Sequence, residues 1–298
     1  MTDRSAVKAA CPLEGGGVSE GSTCGVVSGG CMSLALGHLG DLLEEDAKTE
    51  DLYRRMREYT AWFEESFRST LCRDRCGADL RKASGFADYI LTGKVLTRCV
   101  NHIGKAVEKL IEMVNRPLGE REIEAKGAVA AGGEAPAREG GEVREGASAP
   151  AGGYCAAPVL RRIRREVGLG SDLLEKISIA LDGGVGLSGG LCGALAGALL
   201  ALGEVWGIDP KEEGIAGTLR FFVRGHLNLY AGKGSKGLWS VGNPLVRGFR
   251  DRFGSLECRE LTGRSFSTGR ELADHIAGSE ACAAMMDWCV ERAVEALR

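Results

Sequence analysis

The stretch Gly183–Gly203, GGVGLSGGLCGALAGALLALG, decides the fold: an uncharged glycine-rich entry runs into a small-residue helix with Cys192 at its start. It occurs twice. A shift of 168 residues lays Leu13–Leu34 over Leu181–Leu202 without a gap, matching Leu13, Gly15, Gly16, Gly21, Cys24, Gly25, Gly29 and Leu34 to identical residues. Both copies place glycine at every fourth position, Gly21, Gly25, Gly29 and Gly189, Gly193, Gly197. A helix there carries a bare stripe that another backbone can approach closely. The uncharged run is long enough to raise a membrane-spanning reading, since about 20 residues cross a bilayer. Glycine disfavours helix over its first third, and the sister copy carries Glu14 and Glu20, so a buried helix of a soluble fold suits both copies.

Outward from this repeat, Asp41–Arg68 is rich in Glu, Arg and Leu with aromatics at Tyr53, Tyr59, Trp62, Phe63 and Phe67, the pattern of an amphipathic helix. Apolar residues keep helical spacing from Val95 to Val114, and Cys155 opens a helix to Val167 with Val159, Leu160, Ile163 and Val167 on one face. Ser171 or Asp172 caps a further helix over Leu173–Leu181. Met1–Ala10 is expected to be a disordered lead-in. The second half is longer: an excess of 18 residues falls within Glu204–Gly248, where a glycine-spotted segment around His226 is expected to form an inserted loop. Beyond it the copies realign. Phe63, Phe67, Ser69, Cys72, Arg73 and Gly77 fall on Phe249, Phe253, Ser255, Cys258, Arg259 and Gly263, then Cys99 and Val107 on Cys282 and Val290.

Almost nothing alternates at period two as an exposed strand would, so the fold class is all-α. Two tandem helical repeats are expected, a divergent one over residues 11–116 and a more complete one over 154–298. Between them, residues 117–153 are built from Ala, Gly, Glu, Pro and Arg with almost no large apolar side chain, the composition of a flexible linker. If the glycine stripes meet across a two-fold, the duplication makes an intramolecular pseudo-dimer.

Thirty-eight Lys and Arg against 41 Asp and Glu give no field that would hold nucleic acid. The start, MTDRSAVKAACPLEGGG, lacks the apolar core of a signal peptide, so a cytoplasmic location is expected. Eleven cysteines, an odd number, in a reducing compartment point to metal, cluster or thiol chemistry rather than a disulfide framework. Cys24, Cys72 and Cys99 of the first repeat match Cys192, Cys258 and Cys282 of the second, and Cys155 makes a fourth in the second. The helix bearing Cys155 has no counterpart in the first repeat, where Cys11 lies opposite Ile179, so Cys11 or Cys76 would have to complete a site there. Four thiolates from separate helices suit an iron–sulfur cluster or tetrahedral zinc, and the spacing does not choose between them. A metal-free dithiol is the third possibility. Cys289 is kept as a further ligand candidate, although Cys31 and Cys289 read better as core filling, because small apolar residues occupy the equivalent sites. His102 and His275 are reserve ligands.

The second half resembles the family named for the C_GCAxxG_C_C cysteine pattern. The residues that carry the resemblance are Cys155–Leu160 (CAAPVL), Cys192–Gly197 (CGALAG), Phe253–Leu261 (FGSLECREL) and Cys282, with Cys192 before Gly193 where the name spells Gly-Cys. The first half looks like a degraded second copy. The resemblance implies a small four-cysteine helical domain of redox or cluster chemistry, here a redox-active protein that binds an iron–sulfur cluster and passes electrons to a partner oxidoreductase. Non-redox zinc binding is the alternative reading of the same thiols.

Overall fold

The structure, a computed structural model, describes residues 4–40, 46–119, 153–169, 171–232 and 236–298. The first half comprises α1 (Arg4–Ala10), a 3-10 turn (Cys11–Gly16), α2 (Gly25–Gly37), α3 (Asp46–Phe67), α4 (Cys72–Arg75), α5 (Ala83–Leu91), a π-helical turn (Val95–Val100) and α6 (Asn101–Val114). The second comprises α7 (Ala156–Val167), α8 (Asp172–Ile177), a 3-10 turn (Ser178–Leu181), α9 (Gly193–Trp206), α10 (Pro210–Tyr230), α11 (Leu238–Phe253), α12 (Cys258–Thr262), α13 (Gly269–Ala277) and α14 (Glu280–Leu297). Among the described residues the class is all-α, with two isolated bridges, Thr23 to Leu71 and Leu191 to Glu257, as the extended pairing. No helix of the described residues is long and apolar enough to cross a membrane. Of the expected linker, residues 117–153, residues 120–152 lie outside the described residues. Its first residues are held to the first half, where the buried Arg55 guanidinium donates to the carbonyls of Arg116 and Pro117.

Each half is built around its glycine-rich loop and the helix that follows. From Gly193 to Gly203 every residue of α9 is buried, as expected of a helix apolar on all sides. It packs against α7, α11 and α14 of its own half and α1 of the other, while α2 packs against α3 and α6. The loops before these helices have the same backbone path. Gly16 and Gly184 hold φ of 77° and 82°, and a Cβ at either would lie within 2.5 Å of the loop's own returning backbone. Only glycine closes this loop.

Three sequence expectations are corrected. First, residues Arg4–Ala10 form a helix, because the bare α9 surface at Gly203 admits α1 so closely that a Cβ there would sit 2.3 Å from the Ala9 carbonyl oxygen. Second, the insert is a helix, α10, capped by Asp209 and kinked at Gly214, not a loop. Its apolar spacing brings Phe222, His226 and Tyr230 onto Phe86 of α5. Third, the glycine stripes do not meet. Gly193 and Gly197 face their own half, with Ala156 of α7 packed on Gly197, and Gly29 faces open space. The halves interlock through the loops instead. Leu191 donates its backbone N–H to Thr23 Oγ1 at 2.8 Å, and the 3-10 turn of each half packs against α9 or α2 of the other.

A further pair of contacts repeats the symmetry. Tyr53 on α3 donates to Asp182 of the second loop at 2.8 Å, and Trp239, its counterpart on α11, donates to Glu14 of the first loop at 2.9 Å. The missing counterpart of α7 shows in burial. Val290 and Val294 of α14 are 7% and 8% exposed, whereas the equivalent Val107 and Ile111 of α6 are 48% and 59% exposed.

Candidate redox site

Four elements deliver the second-half cysteines. Cys192 is the residue before α9, and its N–H bonds to the Leu256 carbonyl at 2.8 Å, while the Cys258 N–H bonds to Gly190 at 2.6 Å. This short ladder, centred on the Leu191–Glu257 bridge, fixes the loop beside the start of α12. Cys282 lies in the first turn of α14, its N–H bonded to the capping hydroxyl of Ser279 at 3.2 Å. Cys155 precedes α7, where the buried Asp182 carboxylate accepts the N–H groups of Tyr154 and Cys155 at 2.7 and 2.8 Å. The four cysteines line one apolar cavity of about 20 Å³ walled by Leu261, Leu272, Ile276, Met285 and Met286.

Burial governs the chemistry of these thiols. It pushes Cys192 up to about 11 and raises Cys155 and Cys258, with neighbouring thiols and Asp182 adding to the effect. The largest influences on these three sulfurs are burial, neighbouring thiols, Asp182 and backbone or hydroxyl hydrogen bonds, none of them cationic. Among the described residues, no three His, Cys, Asp or Glu side chains are gathered in an arrangement that holds a metal ion. The thiols line a cavity rather than close on one point, and as placed they do not meet the sulfur distances of about 2.3 Å that a tetrahedral ion requires.

The first half repeats the framework with different contents. Cys24 precedes α2 and bonds to the Thr70 carbonyl at 2.8 Å, and the Cys72 N–H bonds to Ser22 at 2.7 Å. Burial raises Cys24 to about 11, the same value as its counterpart. Cys99 lies in the π-helical turn and accepts from the Tyr89 hydroxyl at 3.0 Å. The Cys76 Sγ donates to the Ala78 carbonyl oxygen at 2.9 Å; the neighbouring Cys76 and burial raise Cys72, while Cys72 first, then backbone N–H groups and Arg98, lower Cys76. Cys72 and Cys76 share a narrow surface cleft with Arg73 and Arg81.

The other candidates lie elsewhere. Cys11 donates to the Ile208 carbonyl oxygen at 3.3 Å and does not line the cleft that holds Cys72 and Cys76. Cys31 and Cys289 are fully buried, Cys31 against the Gly186 loop and Cys289 on α14. His102 is engaged with the Arg75 guanidinium at 2.6 Å and packs at a tilt against Phe67; burial and Arg75 lower it to about 4 and keep it neutral. His275 packs on Phe266, outside the residues that line the cavity. Asp182 escaped the sequence reading, although the repeat sets it opposite Glu14 and so places an acid in both loops. Apart from the Tyr53 hydroxyl, what it holds is backbone N–H, which leaves little side-chain pattern to find.

No curated protein and no solved structure matches the chain. A family profile matches residues 1–113 and again residues 153–296, so that each half with its cysteine set is covered. The chain belongs to the family described as "Putative redox-active protein (C_GCAxxG_C_C)" and carries the family's domain twice, in tandem.

Proposed function

We propose that the second-half cavity is the redox centre, and that Cys155, Cys192, Cys258 and Cys282 exchange electrons with a partner oxidoreductase. The observation that carries this is the convergence of four thiols from four separate elements on one apolar cavity. In the metal-free form, two thiols give up two protons and two electrons and become a disulfide, and the partner takes the electrons. Cys155 and Cys282, the two partly exposed members, offer the route to the surface.

A second reading is favoured by one feature: none of the largest influences on Cys155, Cys192 and Cys258 is cationic, and burial and neighbouring thiols hold all three protonated. An iron–sulfur cluster or zinc would supply that positive charge and deprotonate the thiols, provided α7, α12 and α14 close on it. Anaerobic purification, an absorption spectrum, iron, zinc and sulfide analysis, and thiol titration before and after mild oxidation separate the readings. Dithiol chemistry predicts metal-free protein that loses two titratable thiols on oxidation. Bound iron with sulfide, or zinc, moves the assignment to the second reading. Cys192→Ala is expected to remove most of the signal in either case and Cys24→Ala to leave most of it. An unchanged thiol count in metal-free protein overturns the proposal.

A further inference from the structure

In the second half α7 covers a face that the first half leaves open. It lies on α9 and α14, with Val159, Leu160 and Ile163 buried and the backbone of Ala156 against Gly197. The counterparts of α9 and α14 are α2 and α6, which lie side by side. There Gly29, which matches Gly197, has nothing within 4 Å of where a Cβ would be. Ile103, Val107 and Ile111 of α6 form an exposed apolar stripe at helical spacing, whereas Val290 and Val294, which match Val107 and Ile111, are buried.

The loop before α2 is also shaped to receive the start of such a helix. In the second half the Asp182 carboxylate accepts the N–H groups of Tyr154, Cys155 and Ala156, which open α7. Glu14 is its counterpart, with φ and ψ of −59° and 155° against −63° and 147°. The surroundings correspond as well. A Cβ at Gly25 would meet the Leu13 carbonyl oxygen at 3.2 Å and Glu14 Cα at 3.3 Å, as one at Gly193 would meet the Leu181 carbonyl oxygen at 2.9 Å and Asp182 Cα at 3.5 Å. At Gly193 a third neighbour is nearer still, the Cβ of Cys155 at 2.7 Å, and Gly25 has no match for it. Among the described residues Glu14 accepts from Ser19 and Trp239, both at Oε1, so Oε2 is left for a backbone donor. A carboxylate there also suits the positive end of a helix dipole.

We infer that Glu14, Gly25 and Gly29 together with Ile103, Val107 and Ile111 form a docking site for one amphipathic helix of another polypeptide. The second half defines its chemistry: a small residue in the first turn that sits on Gly29, apolar residues at the spacing of Val159, Leu160 and Ile163 that cover α6, and N–H groups at its start for Glu14. The residue that precedes this helix comes to lie beside Cys24, as Cys155 lies with Cys192, so the partner gains access to the first-half cysteines. The chain's own segments do not match this description. The large apolar residues of 120–152 are Ile123, Val129 and Val143, too far apart for a stripe. In a second copy α7 is buried within its own half, and α10, which exposes Ile215 and Leu219, has its first turn capped by Asp209.

The experiment uses the full-length, reduced protein and a labelled synthetic peptide of residues 154–168 carrying Cys155→Ser, with fluorescence anisotropy for affinity and amide hydrogen exchange for location. One peptide is expected to bind per chain and to slow exchange in α2 and α6, with α9 and α14 unchanged. Gly29→Ala, which sets a methyl group where the peptide backbone must come, and Ile111→Arg are each expected to weaken binding by about tenfold or more. Leu160→Asp in the peptide is expected to abolish it. Absence of saturable binding up to about 1 mM peptide, slowed exchange on α9 and α14 instead, or equal affinity in Gly29→Ala overturns the inference. So does a concentration-dependent dimer of the full chain that Ile111→Arg dissolves, because the face then belongs to a second copy. The exchange map of the wild-type protein decides even if a variant fails to fold. The redox reading of the second half does not enter, because its test scores metal and thiols.

Discussion

Asp182 has no exposed surface and accepts from the Tyr53 hydroxyl and from the N–H groups of Tyr154 and Cys155. It ties the start of α7, and with it Cys155, to the loop that precedes Cys192. Asp182→Asn keeps the shape but turns an amide N–H toward groups that are themselves donors. The expected cost is about 2–3 kcal/mol of stability in urea denaturation, together with faster alkylation of Cys155. An equal alkylation rate in the two proteins would show that Cys155 is placed by α7 packing alone. Thiol burial gives a second expectation at this scale. Cys24 and Cys192 ionise at about 11 in the folded protein against 9.0 for a free thiol. Their contribution to stability is present below pH 9 and is lost as pH rises toward 11, because the unfolded chain releases these protons first. The buried Tyr53 and Tyr59 hydroxyls, also raised by desolvation, act in the same direction. The urea midpoint should therefore fall steadily from pH 9 to pH 11, and less steeply in Cys24→Ser.

At the scale of elements, the difference between the halves is the presence of α7. Gly197 of α9 lies against Ala156, and a Cβ there would sit 2.6 Å from the Ala156 carbonyl oxygen; its counterpart Gly29 on α2 has nothing within 4 Å. Gly197→Ala is expected to push α7 away and cost about 1–3 kcal/mol. Gly29→Ala, on an open helix face, is expected to stabilise by up to about 1 kcal/mol through helix propensity. Thermal melts of the two variants check both, and shifts of the same sign would mean that the halves are packed alike. The same elements mark how far the sequence could be read. The helices α3 and α7 follow from one-sided apolar spacing, and α9 from an uncharged run with nowhere to go but a core. The facing of the glycine stripe did not follow, because close approach to a backbone leaves the same small-residue pattern whichever helix arrives. Nor did α10: its glycines at 214, 217 and 225 argue against helix locally, and only the tertiary contacts of Phe222, His226 and Tyr230 with Phe86 outweigh them. The cysteine positions were legible through duplication, while the approach of the Arg98 guanidinium over Gly77, 21 residues away, depends on a turn geometry that spacing does not encode.

For the whole molecule, the reciprocal contacts of the two loops make the halves one folding unit. Tyr53 of the first half completes the carboxylate that holds the start of α7 in the second, and Trp239 of the second completes Glu14 in the first. Thr23 and Leu191 are hydrogen-bonded across the interface, and Glu20, fully buried in the first loop, accepts from Asn243, Arg247 and Arg250 of α11. Removing Arg250 or Arg247 would leave a carboxylate without exposed surface short of a charged donor, which costs more than any surface ion pair. Calorimetry is therefore expected to show a single transition for the full chain. Tyr53→Phe, which removes a donor from the second half's carboxylate, should lower that one transition, by about 1.5–3 kcal/mol for a hydrogen bond to a charged group. Trp239→Phe should lower the same transition from the other side. If either substitution instead splits the melt in two, so that the half receiving the lost hydrogen bond unfolds first, the halves are separate cooperative units that only touch, and the loop contacts serve to orient them rather than to fold them.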